Sequence, residues 1–83
     1  MRVERSFRGI TLDLARIYLD SVGGDVDGNH ASGPGWEAEL SAEKVAIGPS
    51  IELTEVTVVF EGQEAAVEEV VENFARKAVR SGG

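Results

Sequence analysis

The chain has 83 residues, of which 42% are hydrophobic, and its 15 acidic and eight basic side chains leave a formal net charge of −7. This length accommodates a single domain, 1–83, and the hydrophobic fraction predicts a globular chain rather than a disordered one. The absence of cysteine excludes disulfides, thiol nucleophiles and thiolate metal sites. No apolar run is long enough to cross a bilayer and the N-terminus lacks a signal-peptide core, so we expect a cytoplasmic protein without membrane contact.

The charge balance limits the kinds of molecule that this protein is expected to bind. Only Lys44 and Lys77 are lysines, whereas glutamate is abundant. An acidic surface with scarce lysine is typical of haloarchaeal proteins, which stay soluble in strong salt, and an ordinary acidic domain is the alternative. Binding to a phosphate backbone requires a basic stripe, and none is visible, so nucleic acid is not an expected partner.

The first third of the chain predicts a strand and a helix. Residues 1–9 alternate loosely and are interpreted as a strand. Thr11 offers an N-cap hydroxyl, Asp13 suits the first turn, and Gly23-Gly24 ends the helix. The apolar residues between these signals follow helical spacing: Ile10, Leu14, Ile17, Tyr18 and Val22.

Residues 23–35 are crowded with turn formers and predict a flexible loop. Asp25, Asp27 and Asn29 resemble the opening of a calcium loop, but the sixth and twelfth positions are His30 and Trp36 instead of glycine and glutamate. We therefore predict no metal site here. A single histidine also excludes catalytic triads and multi-histidine centres.

A β region follows. Trp36, Ala38 and Leu40 alternate with polar residues, Val45 and Ile47 continue after a short turn near Ala42, and residues 48–50 predict another turn. Ile51 and Leu53 are expected to face inward, whereas Val56, Val58 and Phe60 have the opposite parity. A strand with a period of two can change its parity only where a residue is inserted. Residues 54–55 are therefore expected to form either a bulge or a strand-to-strand turn, and the sequence does not distinguish these two alternatives.

Residues 63–79 predict a long amphipathic helix whose acids lie toward its start and whose bases lie toward its end, as the helix dipole favours. Its apolar residues form one face: Val67, Val70, Val71, Phe74, Ala75, Ala78 and Val79. This face is expected to rest on Trp36, Leu40, Ile47 and Val58. The element order β-α-β(3–4)-α predicts an α+β two-layer sandwich with an antiparallel sheet.

The sequence closes on Gly82-Gly83, after Arg80 and Ser81, and residues 80–83 are interpreted as a tail. Glycine after a helix is a common cap, which is the ordinary explanation. The functional explanation is that residues without a Cβ can thread into the narrow channel of an enzyme that adenylylates a C-terminal carboxylate. The adenylate could then pass to sulfide, or through a thioester to a lysine amine.

Two segments carry a family resemblance: SAEKVAIGPSIELTEVTVVFEG at 41–62 and NFARKAVRSGG at 73–83. They resemble small haloarchaeal proteins described as MoaD-related protein, C-terminal domain. The resemblance implies a fold similar to the TATA-binding-protein or helix-grip arrangement, with one strand and a helix, four strands and a closing helix. It also implies kinship with the archaeal ubiquitin-like modifiers and sulfur carriers that end in diglycine. Those are β-grasp proteins whose tail leaves a strand, whereas this tail leaves a helix.

Our first hypothesis is a small archaeal ubiquitin-like modifier or sulfur carrier. Gly83 would carry the activated carboxylate and Gly82 would be its flexible partner. If the protein forms chains, Lys44 and Lys77 would be the only side-chain isopeptide acceptors. The expected partners are an activating enzyme and target-protein lysines. The alternative is a non-covalent accessory or ligand-binding domain linked to molybdopterin or sulfur metabolism. In both cases we expect a monomer that is not itself an enzyme and needs no cofactor.

Overall fold

The computed structural model describes residues 1–82, with side chains as far as Val79. Its elements follow the order β1 (Arg2–Arg8), α1 (Leu12–Ser21), β2 (Asp25–Asp27), β3 (His30–Gly33), β4 (Trp36–Gly48), β5 (Ile51–Gly62) and α2 (Glu64–Gly82). The strands form one antiparallel sheet of order β1-β5-β4-β3-β2. Both helices pack on the same face of this sheet, so the predicted element order and the two-layer α+β sandwich are confirmed.

The core lies between the helices and the even-numbered positions of β4 and β5. Trp36, Leu40 and Val58 are buried as predicted, and Phe74 is fully buried among the rings of Phe7, Tyr18 and Phe60. Ile17, Ile47 and Val79 were also predicted to lie on buried apolar faces, but each is at least half exposed. Within the described part of the chain, the one buried side-chain polar atom without a hydrogen-bond partner is the Tyr18 hydroxyl, and no charged side chain is buried.

Helix α1 begins and ends where the sequence predicts. The Thr11 hydroxyl accepts a hydrogen bond from the Leu14 amide at 3.1 Å, which satisfies one of the free donors of the first turn. At the other end, the amides of Gly23 and Gly24 donate to the carbonyls of Asp20 and Leu19 at 3.1 and 2.9 Å. This is a Schellman motif, and its first glycine takes the left-handed conformation with φ of 96°.

The segment 23–35 differs from the predicted loop, because it contains the short hairpin β2–β3. His30 and Ala31 pair with Glu39 and Ala38. Strand β3 therefore forms through its pairing with β4, which the sequence of the segment does not show. Gly28, with φ of 62°, is the first of two residues in the hairpin turn, a position that favours glycine in type II′ turns.

The long strands β4 and β5 extend beyond the rest of the sheet. β3 pairs with β4 no further than Glu39, and β1 pairs with β5 no further than Glu55. Residues 41–54 therefore form a two-stranded projection, which we call the arm, and the molecule measures 43 × 21 × 20 Å.

The arm explains the change of parity in β5. Residues 54–55 form neither the bulge nor the turn that was expected there. Strand β5 is continuous and its pairing with β4 is regular there; the irregularity lies instead between Ala46 and Gly48. Ile51 and Leu53 are 58% and 39% exposed, so the prediction that they face the core is wrong. The helices do not cover the arm, and its apolar residues need not share the core's parity.

The start of the chain is tied to the end of the sheet opposite the arm. The Met1 ammonium donates to the Gly62 carbonyl at 2.9 Å, and the Gly62 amide donates to the Met1 carbonyl at 3.1 Å. The turn into α2 is fixed at the same end, because the Gln63 amide donates to the Gly35 carbonyl at 2.8 Å.

Candidate functional site

Helix α2 positions the predicted reactive end of the chain. Its buried residues, Val67, Val70, Phe74 and Ala78, are at most 4% exposed and fasten it to the sheet and to α1. Val79, the last residue whose side chain the structure describes, is 70% exposed. The helix nevertheless continues through Arg80 and Ser81 to Gly82. The predicted tail of residues 80–83 therefore begins inside the helix, and Gly83 lies outside the described residues.

Helix α2 also has a direction relative to the sheet. Near its start, Ala66 approaches Gly35 closely enough that a Cβ at Gly35 would lie 3.1 Å from it. Two turns later, the Phe74 ring lies 5.2 Å from the ring of Phe7, which pairs with Val56. The helix thus runs back along the sheet toward the arm. At a rise of about 1.5 Å per residue, Gly82 lies about 12 Å beyond Phe74 along the helix axis.

The two candidate acceptor lysines occupy different surroundings. Lys44 is exposed in the arm, where it pairs with Thr54 across the strands. Lys77 is half-buried and lines a cavity of about 410 Å³ between the end of α1 and α2, together with Ser21, Asn73 and Arg76. A side chain that stays in solvent is the more accessible amine, which distinguishes Lys44 from Lys77.

The residues that resemble a calcium loop do not share a pocket. Asp25 and Asp27 extend from β2, whereas the Asn29 side-chain oxygen accepts a hydrogen bond from Arg16 Nη2 at 2.9 Å. Within the described residues, no group of three histidine or acidic side chains is placed to hold a metal ion. His30 is exposed, with its Nε2 3.7 Å from a Glu37 carboxylate oxygen.

Sequence reasoning overlooked Arg16, which anchors the β2–β3 turn to α1. Its Nε donates to the Gly28 carbonyl and its Nη2 to Asn29, both at 2.9 Å, while Nη1 pairs with Asp13 at 2.6 Å. The dipeptide Gly28-Asn29 was the signal for this hairpin, because Gly-Asn between two short strands is typical of a two-residue turn.

A groove lies between the end of α1 and α2, next to three buried aromatic residues. Tyr18 and Phe74 pack edge to face with their ring centroids 5.9 Å apart, and neither is a lining residue of the two cavities that form the groove. Trp36 does border a cavity of about 250 Å³, alongside Val22, Pro34 and Val70. Trp36 is therefore the aromatic residue that this groove presents to a ligand.

The face of the sheet opposite the helices, which we call the outer face, concentrates the negative charge. Strand alternation and pairing place two arginines there, Arg2 and Arg8, against eight carboxylates, which leaves six of the chain's seven excess negative charges on this face. The carboxylates are Glu4, Asp25, Asp27, Glu37, Glu39, Glu43, Glu55 and Glu61. Both arginines are already paired, with Arg8 Nε 3.1 Å from Glu55 and Arg2 Nε 3.6 Å from Glu61.

The outer face continues into an exposed apolar surface at the arm. Val45 and Leu53 are cross-strand partners there, with Ile51 on the same strand as Leu53 and Ile47 at the register shift. We call these four residues the apolar tip. Three of them are between 39% and 58% exposed, and Val45 is half-buried. Contiguous exposed apolar patches commonly mark sites of interaction with another molecule, whereas single exposed apolar residues do not.

Comparison with known protein families identifies the family of this chain. The sequence profile of the family described as archaeal MoaD-like protein matches residues 3–83. The chain is a member of the archaeal MoaD-like protein family. The resemblance read from residues 41–62 and 73–83 is thereby confirmed, and the match covers the segment 23–35 as well. No curated protein matches the sequence.

The helices of this archaeal MoaD-like chain are too short or too polar for a bilayer: none within residues 1–82 has the length and apolar character of a membrane span.

Proposed function

We propose that this archaeal MoaD-like protein is a small protein modifier or sulfur carrier that is activated at the Gly83 carboxylate. The observation that supports this most directly is that the family match extends over the Gly82-Gly83 pair. MoaD-like kinship and a diglycine ending point to the same chemistry. The chain itself supplies no catalytic residue in this proposal, and the partner enzyme supplies the nucleotide site.

The proposed activation begins with attack of the Gly83 carboxylate oxygen on the α-phosphorus of ATP. Pyrophosphate leaves, and an acyl adenylate remains on the chain. In the sulfur-carrier branch, a hydrogen sulfide ion attacks the acyl carbon, the bond to AMP breaks, and AMP leaves with a thiocarboxylate remaining on Gly83 after loss of the sulfur-bound proton. In the modifier branch an enzyme thiolate displaces AMP to form a thioester, which a lysine amine then attacks to release the thiol and form an isopeptide bond.

For this chemistry the last turn of α2 must unwind. Among the residues whose side chains the structure describes, Ala78 is the last that is buried, and the following Val79 is 70% exposed. Glycine in a helix also costs about 1 kcal/mol relative to alanine, which favours unwinding at Gly82. Five residues from Val79 to Gly83 would reach about 17 Å when extended, enough to enter a channel.

Intact-mass spectrometry of the chain purified from its native cells tests the proposal. We expect a fraction with one oxygen replaced by sulfur, or conjugates whose branched peptides carry Gly-Gly on a target lysine. A chain lacking Gly83 serves as the matched control and should show neither product. Absence of both products from the wild-type chain, in cells grown with and without sulfur limitation, would rule the proposal out.

The groove between α1 and α2 supports the accessory-domain alternative. Its two adjoining cavities, of about 250 and 410 Å³, share Val22 and Asn73, and ligand pockets commonly measure about 300–1,000 Å³. We rank this function second, because none of the polar residues that line the two cavities is buried, so the lining offers no convergent set of buried polar groups. A bound small molecule in native mass spectrometry that is lost in Asn73→Leu would favour it.

A further inference from the structure

Among the residues that the structure describes, no further strand pairs with the arm. Strand β4 has a free edge from Ser41 onward and β5 has one up to Thr54, so both strands of the arm present unpaired backbone groups. A two-stranded hairpin without a covering layer is marginally stable in water. The projecting position, the free edges and the apolar tip all indicate that the arm contacts another molecule.

The charges around the arm indicate the charge of the surface that it contacts. The outer face adjoining the apolar tip carries six excess negative charges. Five of its carboxylates have no cationic side chain within salt-bridge distance in residues 1–79, namely Glu4, Asp25, Asp27, Glu39 and Glu43. Complementary potentials favour a partner surface that is basic. A second copy of this chain would oppose its own acidic face with another, and Lys44 together with the irregularity after Ala46 protects the edge against self-pairing.

The arm also lies at the end of the molecule where the reactive carboxylate is proposed. Helix α2 runs from Gly35 toward Val56, and the arm extends from that same end of the sheet. A protein that contacts the arm is therefore near the last turn of α2. The N-terminus and the turn into α2 lie at the opposite end.

We propose that the apolar tip and the adjoining outer face form the docking surface for the enzyme that adenylylates Gly83. The complementary surface of that enzyme is an apolar patch bordered by lysine and arginine side chains. This inference rests on the proposed function, since it names the partner of the same carboxylate. Docking on the arm holds the chain in place while the last turn of α2 unwinds into the enzyme.

Steady-state ATP–pyrophosphate exchange tests this, with a purified ubiquitin-activating-type adenylating enzyme from the same organism as the probe. We expect the double variant Ile51→Ser/Leu53→Ser to raise the KM for the chain at least about tenfold while kcat changes less than about twofold, because docking contributes to binding and not to the chemical step. Ile17→Ser is the matched control, since Ile17 and Ile51 are 59% and 58% exposed and only Ile51 lies in the arm.

A second pair of variants tests the charge. Glu39→Gln/Glu43→Gln on the outer face should raise KM, and Glu68→Gln/Glu69→Gln on the exposed side of α2 should not. Circular dichroism of each variant confirms folding, and sedimentation velocity of the wild-type chain reports its oligomeric state.

The outcomes separate the two proposals. No exchange with the wild-type chain overturns the proposed function and the docking surface together. Exchange with the wild-type chain, and equal KM values for the arm, charge and control variants, overturns the docking surface alone. A wild-type dimer that dissociates in Ile51→Ser/Leu53→Ser shows that a second copy covers the arm, and this also overturns the proposal.

Discussion

Gly33 lies against the indole ring of Trp36, and the contact leaves no room for a side chain. A Cβ at Gly33 would lie 2.5 Å from Nε1 and 2.6 Å from Cζ2 of that ring. Trp36 is only 7% exposed and packs against Phe60, so the rigid ring cannot move aside without disturbing the core. Gly48 is the natural comparison, because nothing lies within 4 Å of a Cβ built there.

We therefore predict that Gly33→Ala lowers the free energy of unfolding by about 1–3 kcal/mol, as expected for overpacking. Gly48→Ala should change it by less than about 0.5 kcal/mol, as for an unconstrained surface site. Urea unfolding followed by the fluorescence of Trp36 measures both. Equal stability of the two variants would show that the strand carrying Gly33 moves away from the indole at little cost.

At the scale of single elements, the sequence predicts those whose signals are local. Thr11 and Gly23-Gly24 bound α1 because capping depends on groups within one turn, and the apolar face of α2 follows from its own spacing. Hairpin β2–β3 was missed because Val26 and Ala31 are too few to reveal a strand, and pairing with β4 supplies the rest. The assumption of one buried face failed for Ile51 and Leu53, since nothing in the sequence shows where the helices stop covering the sheet.

The anchoring of β2–β3 by Arg16 leads to a prediction for that element. Arg16→Ala removes two hydrogen bonds to residues 28–29 and should speed amide exchange across β2 and β3, with little change in β5. Arg76→Ala, which removes only the exposed pair with Glu72 at 2.8 Å, is the control. Unchanged exchange in residues 25–33 of Arg16→Ala would mean that pairing with β4 alone holds the hairpin.

At the scale of the whole molecule, the two faces of the sheet have different roles. One face of the sheet buries the apolar side chains under the helices, and the other carries six of the seven excess negative charges. The alternation of Glu37 and Glu39 with apolar residues predicted a wet acidic face of this kind. Its extent was not predictable, because β1, β2 and β3 add their carboxylates only through the strand order of the sheet.

This arrangement predicts a stability that rises with salt. Repulsion among the outer-face carboxylates is screened as the Debye length falls from about 10 Å at ~0.1 M to about 3 Å at ~1 M, so we expect a gain on the order of 1 kcal/mol in the free energy of unfolding. Urea unfolding across a potassium chloride series measures it. The triple variant Glu4→Gln/Glu39→Gln/Glu43→Gln should flatten this dependence more than Glu64→Gln/Glu68→Gln/Glu69→Gln in α2. Equal slopes in the two variants would contradict the assignment.

The reciprocal hydrogen bonds between Met1 and Gly62 have a practical consequence for handling the protein. An affinity handle or fluorophore placed before Met1 would sit at one end of a molecule 43 Å long, while the last turn of α2 lies toward the other. Such a label lies far from the last turn of α2, so labelled chains suit the exchange measurements proposed above. A handle placed after Gly83 would instead occupy the carboxylate that the proposed activation requires.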